Sequence, residues 1–334
     1  MFLSNYFYFF RSFENLHWLF SDYSPILYFM NYDIVKLSIF GGAFMQNIHY
    51  FKENPPKSWW RPIVATFLVF ALCGGVGSIP ISILISIFTK EPLSQITEKS
   101  ISGELGSLFG FGFALIGIIY WNKRMNHRPI ASLGFTKENM SSQYSLGFLI
   151  GASSLAFLAV VAMFLGSIHF KLNSHMNLGL IILLLLGFII QGLTEEVLCR
   201  GYLQGSLSAI MDEKWAIIIS AVFFAVLHGA NPGIQVLPLI NLFIFGLVFS
   251  LLYAYSENIL FVGAAHSAWN FFQGPVFGVQ VSGTESITSI LKASIPQVNL
   301  INGGSFGIEG SLLTTVFGIF CCALLYQLIL KKRK

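Results

Sequence analysis

Charge is what this sequence has least of. Only 10% of its 334 residues are Asp, Glu, Lys or Arg, against 55% hydrophobic residues. Soluble domains carry about 25% charged residues. A water-facing surface cannot be built from so few, so lipid must cover most of the chain. The net charge of +4 is small and does not point to nucleic acid. Cysteine is scarce as well. Cys73, Cys199, Cys321 and Cys322 all fall in apolar stretches and form no CxxC pair, so they are expected to be small apolar packing residues. No internal repeat is present, which counts against the repeat-built transporters. The first 44 residues lack the basic, apolar and small-residue order of a signal peptide.

Long apolar runs are abundant. A helix needs about 20 apolar residues to cross the hydrocarbon. Eight candidates occur, at roughly 62–88, 103–121, 144–168, 177–209, 215–229, 235–255, 258–274 and 310–330. The expected fold is all-α, a multi-pass membrane bundle of about eight transmembrane helices. Loop charges orient it. With the segment before residue 62 on the inside, the inside loops and C-terminus hold twelve Lys and Arg, and the outside loops hold Lys90, Lys99, Lys171 and Lys292. That bias places both core termini in the cytoplasm, and the expected location is the cell membrane. Trp59, Trp60 and Trp121 are expected at helix ends as interfacial anchors. Residues 1–44 are read either as an interfacial segment or as an untranslated extension ahead of Met45, and residues 45–334 as the core. The loop 274–310 should be the largest extracytoplasmic segment.

Three clusters carry chemistry. QGLTEEVLCRGYLQG contains Glu195, Glu196 and Arg200. Glu196 and Arg200 are four apart, share a helix face and can pair. Glu195 is turned about 100° away and can meet another partner. Charges inside a span are expensive and therefore read as functional; the alternative is a cytoplasmic helix end with solvated charges. SAVFFAVLHGANPG puts His228 four residues after Phe224. Alone, His228 also reads as a satisfied packing histidine. GAAHSAWNFF puts His266 and Asn270 on one helix face, with Gly263, Ala264, Ala265, Ser267 and Ala268 permitting close helix approach. Alone, that pair also reads as an interhelical hydrogen bond.

Together, a carboxylate, two imidazoles and an amide suffice to hydrolyse a peptide with water. Glu195 would take a proton from the water, and His228 would orient or share it. His266 and Asn270 would donate to the developing oxyanion. At about 1.5 Å per residue, Glu195 lies roughly 20 Å from a helix end near residue 210 and His228 roughly 20 Å from residue 215. His266 lies only roughly 12 Å from residue 258, so its helix must start deeper or tilt.

E-E-x-x-x-R at 195–200, F-x-x-x-H at 224–228 and H-x-x-x-N at 266–270 resemble, in that order, the three motifs of the CPBP family. This is the CAAX protease and bacteriocin-processing, or Abi, family of intramembrane endopeptidases. The motif region is about 177–273, and RPIASLGFTKEN at 128–139 resembles the family's stretch before it. The resemblance implies Glu195, His228, His266 and Asn270 as catalytic residues, with Glu196 and Arg200 supporting them. It implies a membrane-associated peptide or protein as substrate, and maturation, immunity or surface-protein processing as roles. No cofactor is expected. Zn²⁺ on Glu195, His228 and His266 is the alternative, although no H-E-x-x-H is present. Two other classes compete: a non-catalytic immunity or adaptor protein on the same scaffold, and an ion-coupled transporter using the buried Glu and Arg.

Overall fold

The computed structural model describes residues 47–136 and 139–332. Residues 1–44, with Arg11 and Lys36, lie outside the described residues, as do Lys137, Arg333 and Lys334.

Apolar runs become helices because a helix satisfies its own backbone hydrogen bonds, which lipid cannot do. A short α1 (Ile48–Glu53) precedes α2 (Trp60–Thr89), α3 (Ile101–Met125), α4 (Met140–Phe164) and α5 (Leu178–Ser208). Then come α6 (Glu213–Leu227), α7 (Val236–Ser256), α8 (Ile259–Phe271) and α9 (Leu312–Lys332). Two strands, β1 (His169–Leu172) and β2 (Leu291–Ser294), pair antiparallel with His169 opposite Ser294. The fold is an all-α membrane bundle.

A helix stands at each of the eight expected positions. Six of them are long and apolar enough to cross a membrane. The other two are α6, with 15 residues, and α8, whose 13 regular residues run on in wide turns to Val276. Of the α8 residues, every one but Leu260 is buried, so protein rather than lipid surrounds it.

Loop contacts sort the ends of the bundle. Lys99 pairs with Glu285, β1 with β2, and Asn231 Nδ2 donates to Ser282 O. The loops after α2, α4, α6 and α8 thus gather at one end. At the other, Arg128 donates to Asn54 O and Ser206 Oγ, Asn258 Nδ2 to Thr136 Oγ1, and Lys332 to Tyr255 O. This is the alternation that an even number of crossings requires. Burial beside Phe51 pushes the Arg128 guanidinium down to about 10.

The depth of α8 has a local cause. The segment Pro129–Thr136 runs back into the bundle. A Cβ on Gly201 of α5 would lie 2.8 Å from Leu133 O, and Ile259 N donates to Gly134 O at 3.0 Å. α8 therefore begins near the level of Gly201, seven residues or about 10 Å inside the end of α5. Adding the seven residues from Ile259 to His266 brings that ring to the depth of Glu195.

Small residues then let α8 sit deep among its neighbours. A Cβ on Gly147 of α4 would lie 2.1 Å from Phe261 O, and one on Gly151 2.0 Å from Ala265 O. On α5, a Cβ at Gly192 would meet Ser267 Oγ at 2.5 Å. The expected close approach around Gly263 to Ala268 is therefore present from two sides. Of the cysteines, Cys199 alone is buried; Cys73, Cys321 and Cys322 are intermediate, and all four are free. Trp59 and Trp60 are exposed, as anchors would be. Trp121 instead donates its indole N–H to Tyr202 Oη at 3.1 Å.

Candidate active site

Glu195 and Glu196 sit where α5 changes its winding. The helix is regular to Glu196, and Val197–Gln204 continues in wide i→i+5 turns. Such turns recur at functional sites because they re-aim side chains without breaking the helix. The two carboxylates diverge, as the helix geometry requires.

Glu196 faces Arg200 and His266. Arg200 Nη1 donates to Glu196 Oε1 at 3.0 Å, with both side chains fully buried. The other guanidinium arm donates to Gly246 O at 3.0 Å. Arg200 Cζ lies over the Phe224 ring, 4.7 Å from its centroid. The same Glu196 oxygen lies 2.8 Å from His266 Nδ1. A carboxylate can only accept, so His266 Nδ1 carries the hydrogen. The other ring nitrogen, Nε2, is thereby turned toward Glu195. Phe249 stacks on the His266 ring at 4.8 Å and 16°, and Phe224 meets it edge-on.

Glu195 faces the second half of the cluster. Its Oε2 is buried and has no hydrogen-bond partner among the described residues. His266 Nε2 lies 3.7 Å from it and His228 Nε2 lies 4.0 Å from it. Those distances are too long for direct hydrogen bonds. His228 closes the C-terminal end of α6. Its Nδ1 lies 2.9 Å from the carbonyl of Phe224, so that nitrogen donates and Nε2 is the bare one. Phe224 of the second motif thus has two functions, a carbonyl for His228 and a ring for Arg200.

Asn270 does not bond His266, its partner in the third motif. Its Nδ2 donates to Gln191 Oε1 at 3.0 Å, and Gln191 Nε2 donates to Glu195 Oε1 at 2.9 Å. Gln191 is a site residue that the motifs do not contain. The available signal was its spacing, one turn before Glu195 on the same face. The chain of bonds has one sense only. The Glu195 carboxylate accepts, so Gln191 must present its amide N–H₂ there and its carbonyl to Asn270. Asn270 must then present N–H₂, one hydrogen of which is left for another acceptor.

The structure therefore brings Glu195, Glu196, Arg200, His228, His266 and Asn270 together, from α5, the end of α6, and α8. Among the described residues, no group of three His, Cys, Asp or Glu has the spacing to hold a metal ion. A narrow cleft lined by His228, His266, Asn270, Phe249 and Glu309 leads to the cluster.

Residues 177–272 match the family model described as type II CAAX prenyl endopeptidase, Rce1-like. The motifs marked 177–273, so the two boundaries agree within one residue. Every candidate residue from Glu195 to Asn270 lies inside the match, which spans α5 to α8. Over the helices that build the site, the chain is similar to those membrane endopeptidases. No curated protein and no solved structure matches it.

Proposed function

We propose that this chain is an intramembrane endopeptidase that hydrolyses a peptide bond of a membrane-associated protein or peptide with a water activated by Glu195. The Rce1-like match supports protease activity in general. The observation that carries the mechanism is the unpartnered, buried Glu195 Oε2 between two imidazole Nε2 atoms.

A water on Oε2 gives one hydrogen to Glu195 and the other to His228 Nε2, and its lone pair points into the cleft. As its oxygen bonds to the peptide carbonyl carbon, Glu195 takes the proton. The carbonyl oxygen becomes an oxyanion. Asn270 Nδ2 and an imidazolium His266, its Nδ1 hydrogen held by Glu196, donate to it. Glu195 then passes its proton to the amine nitrogen as the C–N bond breaks. The lipid bilayer supplies the setting, and the Lys- and Arg-rich end of the bundle, with both core termini, faces the cytoplasm. The prenyl group in the family's description is no part of this step; what the site itself requires is a peptide that reaches it in the membrane.

The test is cleavage of membrane-anchored peptides by the purified chain in lipid, with and without chelator. Cleavage is expected to survive the chelator. Loss with chelator and return with Zn²⁺ would assign a metal to Glu195, His228 and His266 instead. If no peptide is cut and Glu195 variants keep the cellular phenotype, the non-catalytic immunity or adaptor reading replaces this one.

Gln191 gives a sharper check. Gln191→Leu keeps the bulk but frees Asn270 to rotate. It is expected to lower kcat by about 10- to 100-fold with little change in KM, less than the roughly 10²- to 10³-fold that follows outright loss of one oxyanion donor. The Gln191→Leu/Asn270→Ala pair should be no slower than Asn270→Ala alone. Additive losses would separate Gln191 from Asn270.

A further inference from the structure

The cleft that leads to the catalytic cluster has another carboxylate in its wall. Glu309, from the loop between α8 and α9, lines it together with His228, His266 and Asn270. Its Oε1 accepts from the Trp269 indole N–H at 3.1 Å. Its Oε2 accepts from Ser282 N at 2.9 Å and from Ser282 Oγ at 2.7 Å. Its backbone carbonyl accepts from Asn241 Nδ2 at 2.7 Å. The carboxylate is thus fixed in place, and fixed next to the site, because Trp269 is the residue before Asn270.

All of those partners are neutral. Among the described residues, no lysine, arginine or histidine lies within ion-pair distance of Glu309. A hydroxyl or an amide would anchor the loop on Trp269 equally well, so the anchoring does not need the charge. A fixed, partly exposed carboxylate without a protein counterion can take one from a ligand. Trp269 packs on Phe245 with ring centroids 4.6 Å apart, and both rings are buried, so they hold the carboxylate from behind rather than contact a ligand.

We propose that Glu309 forms a subsite of this cleft for a cationic side chain, lysine or arginine, of the peptide substrate. The inference rests on the protease reading and adds its substrate class: peptides carrying a basic residue close to the bond that is cut. Charge-assisted hydrogen bonds are the stronger ones, so this subsite would select substrates as well as hold them.

The experiment uses the full chain in lipid and N-acetylated, membrane-anchored peptides, so that the only cation is the side chain under test. Lys, Gln or Glu is placed in turn at each position flanking the cleaved bond. The wild type is expected to prefer Lys over Gln at one position by about 10- to 100-fold in kcat/KM. Glu309→Gln should level that preference, and Glu309→Lys should turn it toward Glu. No preference in the wild type, a preference that survives Glu309→Gln, or an equal loss for every peptide in both variants would each overturn the subsite. If the wild type cuts nothing, the protease reading fails separately. The subsite is then read from equilibrium binding of the Lys and Gln peptides to wild type and Glu309→Gln, and equal affinities in the wild type overturn it.

Discussion

Glu195→Gln is expected to lower the single-turnover cleavage rate of an anchored peptide by about 10³-fold or more, while leaving stability within about 1 kcal/mol of wild type. The argument rests on what the two oxygens do. Oε1 accepts from Gln191, and the carbonyl of a glutamine can do the same. Oε2 accepts from nothing among the described residues, so its replacement breaks no bond seen to hold the fold. It does remove the base. An amide cannot take a proton from water, and its N–H₂ would donate into the space where the water sits. Glu195→Ala should be equally inactive, without that added donor. Activity above a tenth of wild type in either variant would remove Glu195 from the mechanism and leave His228 as the base to be tested. The thermal midpoint of each variant in the same lipid checks that a silent site is not an unfolded one.

Much of the fold was legible because a bilayer imposes simple rules. Length and hydropathy marked all eight helices, and the loops fall at alternate ends as successive crossings require. The pairing of Glu196 with Arg200 followed from their i, i+4 spacing, and their divergence from Glu195 followed from helix geometry. The depth of His266 did not follow. It depends on the segment before α4 folding back into the bundle until Gly134 O meets Ile259 N, and residue counting assumes that helices start at a common surface. The lengths of α6 and α8 have the same origin, since a helix that starts or stops inside protein need not span the hydrocarbon. The partner of Asn270 was hidden for another reason. A glutamine on an apolar helix forms no motif, and only the fold shows that Gln191 reaches Asn270 across the helix boundary. Trp121 was read by its position at a helix end, yet it carries a specific bond to Tyr202. Glu309 lies far from the motifs in sequence, and only the loop that returns over α8 brings it to the cleft.

Arg200→Ala should do what Glu195→Gln does not, and unfold the site. Arg200 and Glu196 are both fully buried. Removing one partner of a buried pair leaves an uncompensated charge and costs about 3–5 kcal/mol. Here the loss extends further, because Gly246 O loses its donor and the Phe224 ring loses the guanidinium packed against it. Arg200→Lys keeps the charge but not the fork that reaches Glu196 and Gly246 together. It should lie between wild type and alanine. The revealing variant is Arg200→Ala combined with Glu196→Gln. It removes the stranded carboxylate as well as the guanidinium, so it should recover part of the stability lost in Arg200→Ala, measured as the unfolding midpoint in detergent or lipid. It should not recover activity. His266 Nδ1 would then face an amide in place of the carboxylate that holds its hydrogen, and the ring would lose its fixed orientation toward Glu195. A double variant less stable than Arg200→Ala would show that the carboxylate is satisfied by His266 alone, and that the arginine serves packing rather than charge.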